Sequence, residues 1–244
     1  MSRMLVIARR EVASYFVSPI FWVLAAAFMA FFGLVFGLYV SMRGSSAPQA
    51  EMGPLLGLVG VVLLFVTPLL AMRLVAEEQH SGTLEVLMTS PVQEWQVIAG
   101  KWLAALTVYA VIIGLTLAHV AIMLRLATNG MDPGPLISSY LGLLLLGASL
   151  LAVGVLTSAL TENQVVAAFL GVMVVMLLYF LGLTGSITGT ESGTGQALTY
   201  LGLAEHYQNF GQGVIDSRDL IYFGSLTVGA LFLAARALES RRWR

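Results

Sequence analysis

Six stretches of this chain run for 16 residues or more without one charged side chain: Val12–Met42, Met52–Met72, Trp102–Leu124, Pro133–Thr161, Asn163–Thr190 and Leu220–Ala235. A helix needs about 20 apolar residues to cross the hydrocarbon core of a bilayer. The first five runs are long enough. The sixth, at 16 residues, covers roughly 24 Å at 1.5 Å per residue, so Arg218 or Arg236 must snorkel to the interface. The pattern predicts an all-α polytopic membrane protein with spans near 19–41, 54–76, 91–124, 135–160, 164–184 and 219–236. They form one transmembrane domain over residues 1–244; five spans is the competing count. The first apolar run is too long for a cleavable signal peptide and reads as a retained span.

Between the second and third runs the pattern inverts. Residues 77–101, "EEQHSGTLEVLMTSPVQEWQVIAGK", gather four glutamates, a histidine and a lysine. Ser90-Pro91-Val92-Gln93 has the residues of a helix N-terminus, which predicts a start at Pro91. Pro68 removes a backbone bond from span two and predicts a kink. Arg73 and Glu77 are four apart, on one helix face at its end. In the segment 77–90, Gly82 breaks the helix and Thr83–Met88 can form one or two turns, with Leu84, Leu87 and Met88 on one face and Glu85 off it. So short a helix needs something to pack on. Two readings stay open: a loop helix touching the bilayer surface, and a docking helix for a cytoplasmic partner.

Two other segments are amphipathic. Residues 2–17 place Leu5, Ala8, Val12 and Tyr15/Phe16 on one side, with Arg3, Arg10 and Ser14 off it. They fit an in-plane interfacial helix as well as an extension of span one, and Ser18-Pro19 favours a corner. Residues 185–218 form the longest stretch outside the spans. Its first part is glycine-rich. "QALTYLGLAEHYQNF" then repeats apolar groups at Ala197, Leu201, Ala204 and Tyr207, which predicts one helix lying on or dipping into the outer leaflet. Asp216 or Ser217 can cap the last span.

The distribution of cations orients the chain. With the N-terminus in the cytoplasm, Arg3, Arg9, Arg10, Arg73, Lys101, Arg236, Arg241, Arg242 and Arg244 lie inside, and Arg43, Arg125 and Arg218 outside. That agrees with the positive-inside rule and with an even number of spans. The segment 77–101 then stands in the cytoplasm.

Composition narrows the function. Only 10% of the residues are charged and the formal net charge is -1, so the basic patch of a nucleic-acid binder is missing. Without cysteine there is no thiolate metal site or disulfide. His80, His119 and His206 are far apart and carry no ligand spacing. They read as a loop residue, a packed helix residue and a residue near the outer interface. No P-loop, HExxH or GxSxG motif occurs, so the sequence offers no catalytic residue and no cofactor or metal site. No Asp, Glu, Lys or Arg sits mid-span, which counts against a proton-coupled carrier.

"RREVASYFVSPIFWV", "EEQHSGTLEVLMTSPVQEWQVIAGKW" and "GVIDSRDLIYFGSL" with the terminal "LESRRWR" together resemble an ABC-2 type transporter permease. Within that group the chain is most similar to the small six-span permeases of the gliding-motility type. The resemblance implies a non-catalytic subunit in the bacterial inner membrane with both termini cytoplasmic. A separate cytoplasmic ABC ATPase would bind ATP and Mg. A second permease copy and, in some relatives, an extracytoplasmic auxiliary subunit would join it among the membrane lipids. Residues 2–17 would be the family's elbow helix, Thr83–Met88 its coupling helix, and the outer segment its re-entrant helices. Glu77, Glu78, Thr83, Leu84, Glu85, Leu87 and Met88 are the expected ATPase-coupling residues. The resemblance implies export but supplies no substrate; the charge-free spans suit an amphipathic or lipid-like one. The alternative is an anchor that relays ATPase motion to an extracytoplasmic partner without transport.

Overall fold

A computed structural model describes residues 3–43, 51–83, 93–127, 130–188 and 193–241. Among them every regular element is a helix, and six helical stretches are long and apolar enough to cross a membrane. Helix α1 (Arg3–Val17) ends at Ser18, and α2 (Pro19–Arg43) begins at the proline, as the corner predicts. Span two is α3 (Gly53–Ala71) followed after Met72 by α4 (Arg73–His80). The break lies four residues beyond Pro68, at the end of the run that leads into Arg73 and Glu77. Span three is α5 (Glu94–Leu115) and α6 (Leu117–Leu126), interrupted at Thr116, whose hydroxyl donates to the Ile113 carbonyl (2.6 Å) and lies 2.8 Å from the Tyr140 hydroxyl.

Span four is α7 (Pro133–Leu160), capped by Asp132, which accepts from the Gly134 amide at 2.9 Å. Span five is α8 (Gln164–Thr188), started by Asn163, which accepts from the Val165 amide at 2.9 Å. Two short helices follow, α9 (Gly193–Tyr200) and α10 (Leu203–Gly211), and span six is α11 (Ser217–Arg241). Asp216 accepts from the Arg218 amide (2.9 Å), the cap expected there. The last helix carries 25 residues, so its charged ends are reached by length as well as by snorkelling.

Span four is the centre of the bundle. Its most apolar window is 72% buried, against 22% for spans one, five and six. It packs most extensively against α11 and α3. Its buried face carries Gly142, Gly147, Ser149, Gly154 and Ser158, small residues that let neighbouring backbones approach closely.

Four local expectations are corrected. Span three starts at Glu94 rather than Pro91, because Gln93 is extended and its amide donates to Gln96 Oε1 at 3.4 Å; Ser90 and Pro91 lie outside the described residues. On the expected face of α1, Tyr15 is buried and Ala8, Val12 and Phe16 are half-buried, but Leu5 is 46% exposed and the buried Ile7 takes its place, because α1 packs chiefly on α5. His80 is the last residue of α4 and not a loop residue. The helix expected across 197–210 is two helices. Gly202 is extended between them, and a Cβ there would come within 2.3 Å of Gly182 Cα on span five. A backbone-to-backbone contact that close overrides the apolar periodicity.

Candidate coupling site

Helices α1, α4 and α5 converge where the chain leaves the described residues at Thr83 and returns at Gln93. Lys101, in the second turn of α5, is 1% exposed. Its Nζ meets Glu11 Oε1 of α1 at 3.2 Å and Glu78 Oε1 of α4 at 2.9 Å. Arg10 lies over the same carboxylates, 3.1 Å from Glu11 and 3.2 Å from Glu78. Two cations and two anions thus join three helices that share no chain neighbourhood. Burying the lysine is tolerable because two carboxylates compensate it; an unpaired buried ammonium would not be.

Arg73 forms the second half of the site. Its Nε pairs with Glu77 at 3.3 Å, as the spacing of four predicts. It also donates to Ser18 Oγ at 2.8 Å and lies over the Tyr15 ring. Tyr15 in turn donates its hydroxyl to the Leu70 carbonyl at 2.6 Å. Burial pushes the Tyr15 phenol well above its ordinary value, and the nearby Arg73 only partly offsets this. The corner at Ser18 is therefore tied to both sides of the break in span two. A polar cleft of about 370 Å³ lies among these groups and reaches Ser81 and Thr83.

Of the residues expected to couple to an ATPase, Glu77 and Glu78 lie in the cleft, and Thr83 sits at its mouth, its hydroxyl 2.8 Å from Ser81 Oγ. Leu84, Glu85, Leu87 and Met88 lie outside the described residues. Sequence reasoning missed Glu11, Lys101 and Arg10 as members of this site. The only signal for Lys101 was a lone cation next to an apolar run, which also marks an interface.

A second site lies at the other end of the bundle, where α10 drops between spans two and four. The Tyr207 ring fills the place of a side chain at Gly60, and its hydroxyl donates to the Leu56 carbonyl at 2.8 Å. Burial raises the Tyr207 phenol well above its ordinary value. Phe210 does the same at Gly142, and Ser138 donates to the Phe210 carbonyl at 2.7 Å. His206 is clamped behind them. Its Nδ1 lies 2.6 Å from Asp219, its Nε2 2.8 Å from the Tyr200 carbonyl, and its ring stacks on Tyr222 at 4.0 Å. Beside α10 is a cavity of about 440 Å³. Gly57 and Leu64 of span two, Leu146, Tyr179 and the α10 residues Tyr207 and Gln208 line it. Gly57 leaves its wall open: a Cβ there would meet nothing within 4 Å.

Residues 43–202, about two thirds of the chain, match the family model described as "ABC-2 family transporter protein". The chain belongs to this family of permeases. It is also 34% identical over 120 residues to the "Probable multidrug ABC transporter permease YbhR" of Escherichia coli strain K12, and equally to its counterpart in Escherichia coli O157:H7. The alignment covers 48% of this permease and 30% of each relative, so less than a third of their length is represented. The family match starts at Arg43, the last residue of span one, and runs through α9. It includes the segment 77–101 and both partners of the Gly182–Gly202 contact.

Proposed function

We propose that this permease subunit moves an amphipathic, lipid-like substrate outward across a bacterial inner membrane. A separate cytoplasmic ABC ATPase supplies the energy by hydrolysing ATP with Mg. Both chain termini face the cytoplasm, and a second copy of the permease completes the pathway. The observation that carries this reading is the way α1, α4 and α5 are bolted together beside Thr83 and Gln93, the described residues on either side of 84–92. A force applied there reaches the corner at Ser18 through Arg73, and spans two and three through Glu78 and Lys101. Segment 77–90 is the coupling element, with Leu84, Leu87 and Met88 as its docking face and Glu77, Glu78, Thr83 and Glu85 as its polar members. Only a difference in contacts between ATPase states can drive such a shift.

The decisive experiment is co-purification of the permease with its ABC ATPase from membranes. Leu84→Glu combined with Leu87→Glu should abolish recovery of the ATPase, a loss of tenfold or more, while the permease remains inserted. Undiminished recovery removes the coupling assignment.

The cavity beside α10 supports transport over a purely mechanical role. Its lining is apolar, no charged side chain is among its lining residues, and Gln208 and Gln212 stand on the α10 side. That suits the chain of an amphiphile with an uncharged or zwitterionic head. A Cβ at Gly57 meets nothing within 4 Å, so Gly57→Leu projects its side chain from the cavity wall. In reconstituted vesicles holding permease and ATPase, it should cut ATP-dependent movement of a fluorescent short-chain phospholipid several-fold. Gly229→Leu on span six, where a Cβ likewise meets nothing within 4 Å, should leave it intact. Equal rates for both variants would favour the anchor reading, in which an extracytoplasmic subunit receives the motion.

A further inference from the structure

The Ala76 amide and the Met72 carbonyl would bond each other in an unbroken helix, but here both bond one hydroxyl, that of Ser158 on span four. Ser158 Oγ accepts from Ala76 N at 3.0 Å and from Val75 N at 3.1 Å, and donates to Met72 O at 2.8 Å. Ser158 is fully buried. A side chain inserted into the i→i−4 ladder is a recognised cause of a sharp bend. This one lies at the junction of α3 and α4. One turn further along, Gln79 Nε2 donates to the Ala159 carbonyl at 3.0 Å.

We propose that Ser158 is the pivot of a two-position hinge in span two. In the arrangement seen, its hydroxyl is inserted and α4 is held against the inner end of span four. In the other, Ala76 N–H closes onto Met72 O, Ser158 turns to a carbonyl of its own helix, and α4 straightens. The groups that exchange partners are satisfied in both: the hydroxyl serves Val75 N, Ala76 N and Met72 O in the first, and in the second Val75 N–H closes onto Ala71 O as Ala76 N–H closes onto Met72 O, so none of them becomes an orphaned buried donor. Serine suits the role because one hydroxyl both accepts and donates. Pro68 contributes by removing the ladder bond to Leu64 just before the hinge.

This inference deepens the proposed coupling role, because α4 is the arm that leads into segment 84–92. It is nevertheless a property of the permease alone and can be measured without an ATPase. The arm is 8 residues long, about 12 Å, so releasing a bend of about 20° moves its tip by about 4 Å.

The chain has no cysteine, so spin labels can be attached at His80→Cys on α4 and Val165→Cys at the start of span five, both exposed. Distances are then read by double electron–electron resonance in lipid vesicles. Ser158→Ala should shift the distance by about 4 Å, or add a second population at that separation. Ser149→Ala, which removes an equally buried hydroxyl that donates within span four to Leu146 at 2.8 Å, should leave it unchanged. If the Ser158→Ala and parent distributions superimpose, the hinge is refuted. Should the alanine variant not fold, the nearly isosteric Ser158→Cys, studied unlabelled by hydrogen–deuterium exchange, decides the matter. The proposal requires faster or slower exchange confined to residues 73–80, and unchanged exchange overturns it. Failure here leaves the ATPase-docking experiment untouched, and the converse also holds.

Discussion

Replacing Lys101 with methionine should destabilise the permease by about 3 kcal/mol, the low end of the range for breaking a buried ion pair. The side chain is 1% exposed, and its carboxylate partners Glu11 and Glu78 are 15% and 18% exposed. Methionine keeps the volume but leaves two anions facing each other in a poorly solvated place. Arg10 still reaches both at 3.1 and 3.2 Å, and that remaining pairing holds the loss below the upper limit. Thermal unfolding of the detergent-purified protein, followed by tryptophan fluorescence, would show a lower midpoint. Adding Glu78→Gln to Lys101→Met removes one of the opposed anions and should restore part of the loss. A double variant less stable than the single one would mean that the carboxylates are not held together by the lysine.

The second large effect is expected at Gly202. Its φ of -78° is open to any residue, so alanine there brings no backbone strain of its own. The obstacle is contact alone: the new Cβ would lie 2.3 Å from Gly182 Cα and 2.6 Å from Gly182 N. Backbone cannot swing aside as a side-chain tip can. Gly202→Ala should therefore cost about 3 kcal/mol, the upper part of the usual range for overpacking, by prising α9 and α10 off span five. Gly229→Ala gives the opposite sign. Nothing lies within 4 Å of its Cβ, and alanine favours a helix interior over glycine by roughly 0.5–1 kcal/mol. Comparing the two unfolding midpoints tests whether the contact, and not the loss of a glycine, sets the outcome.

The membrane architecture was open to reading because solvent imposes it residue by residue. Each span needs about 20 predominantly apolar residues to cross the hydrocarbon core, and that requirement shows in each stretch of sequence by itself. The helix ends followed where capping chemistry is local, as at Ser18-Pro19 and Asp216. The candidate site was hidden because it depends on meetings between distant residues. Glu11 and Lys101 are 90 positions apart, and Ser158 meets Ala76 across 82. A charge beside an apolar run looks the same whether it faces water or a carboxylate from another helix. The His206–Asp219 pair was missed for a related reason: 13 residues spanning a turn have no fixed geometry until α10 has docked. At Gly202 the periodicity of 197–207 pointed to a continuous helix, and only the crossing with Gly182 could have argued otherwise.

The two aromatic plugs on α10 constrain the order in which the molecule is made. The notches that receive Tyr207 and Phe210 are in spans two and four, both synthesised before the plugs leave the ribosome. They cannot be filled by these rings until α10 has been made. Span six follows α10 in the chain, and its Asp219 holds His206 in place. The residues that close this end of the bundle therefore all come later in the chain than every member of the ion cluster formed by Arg10, Glu11, Glu78 and Lys101.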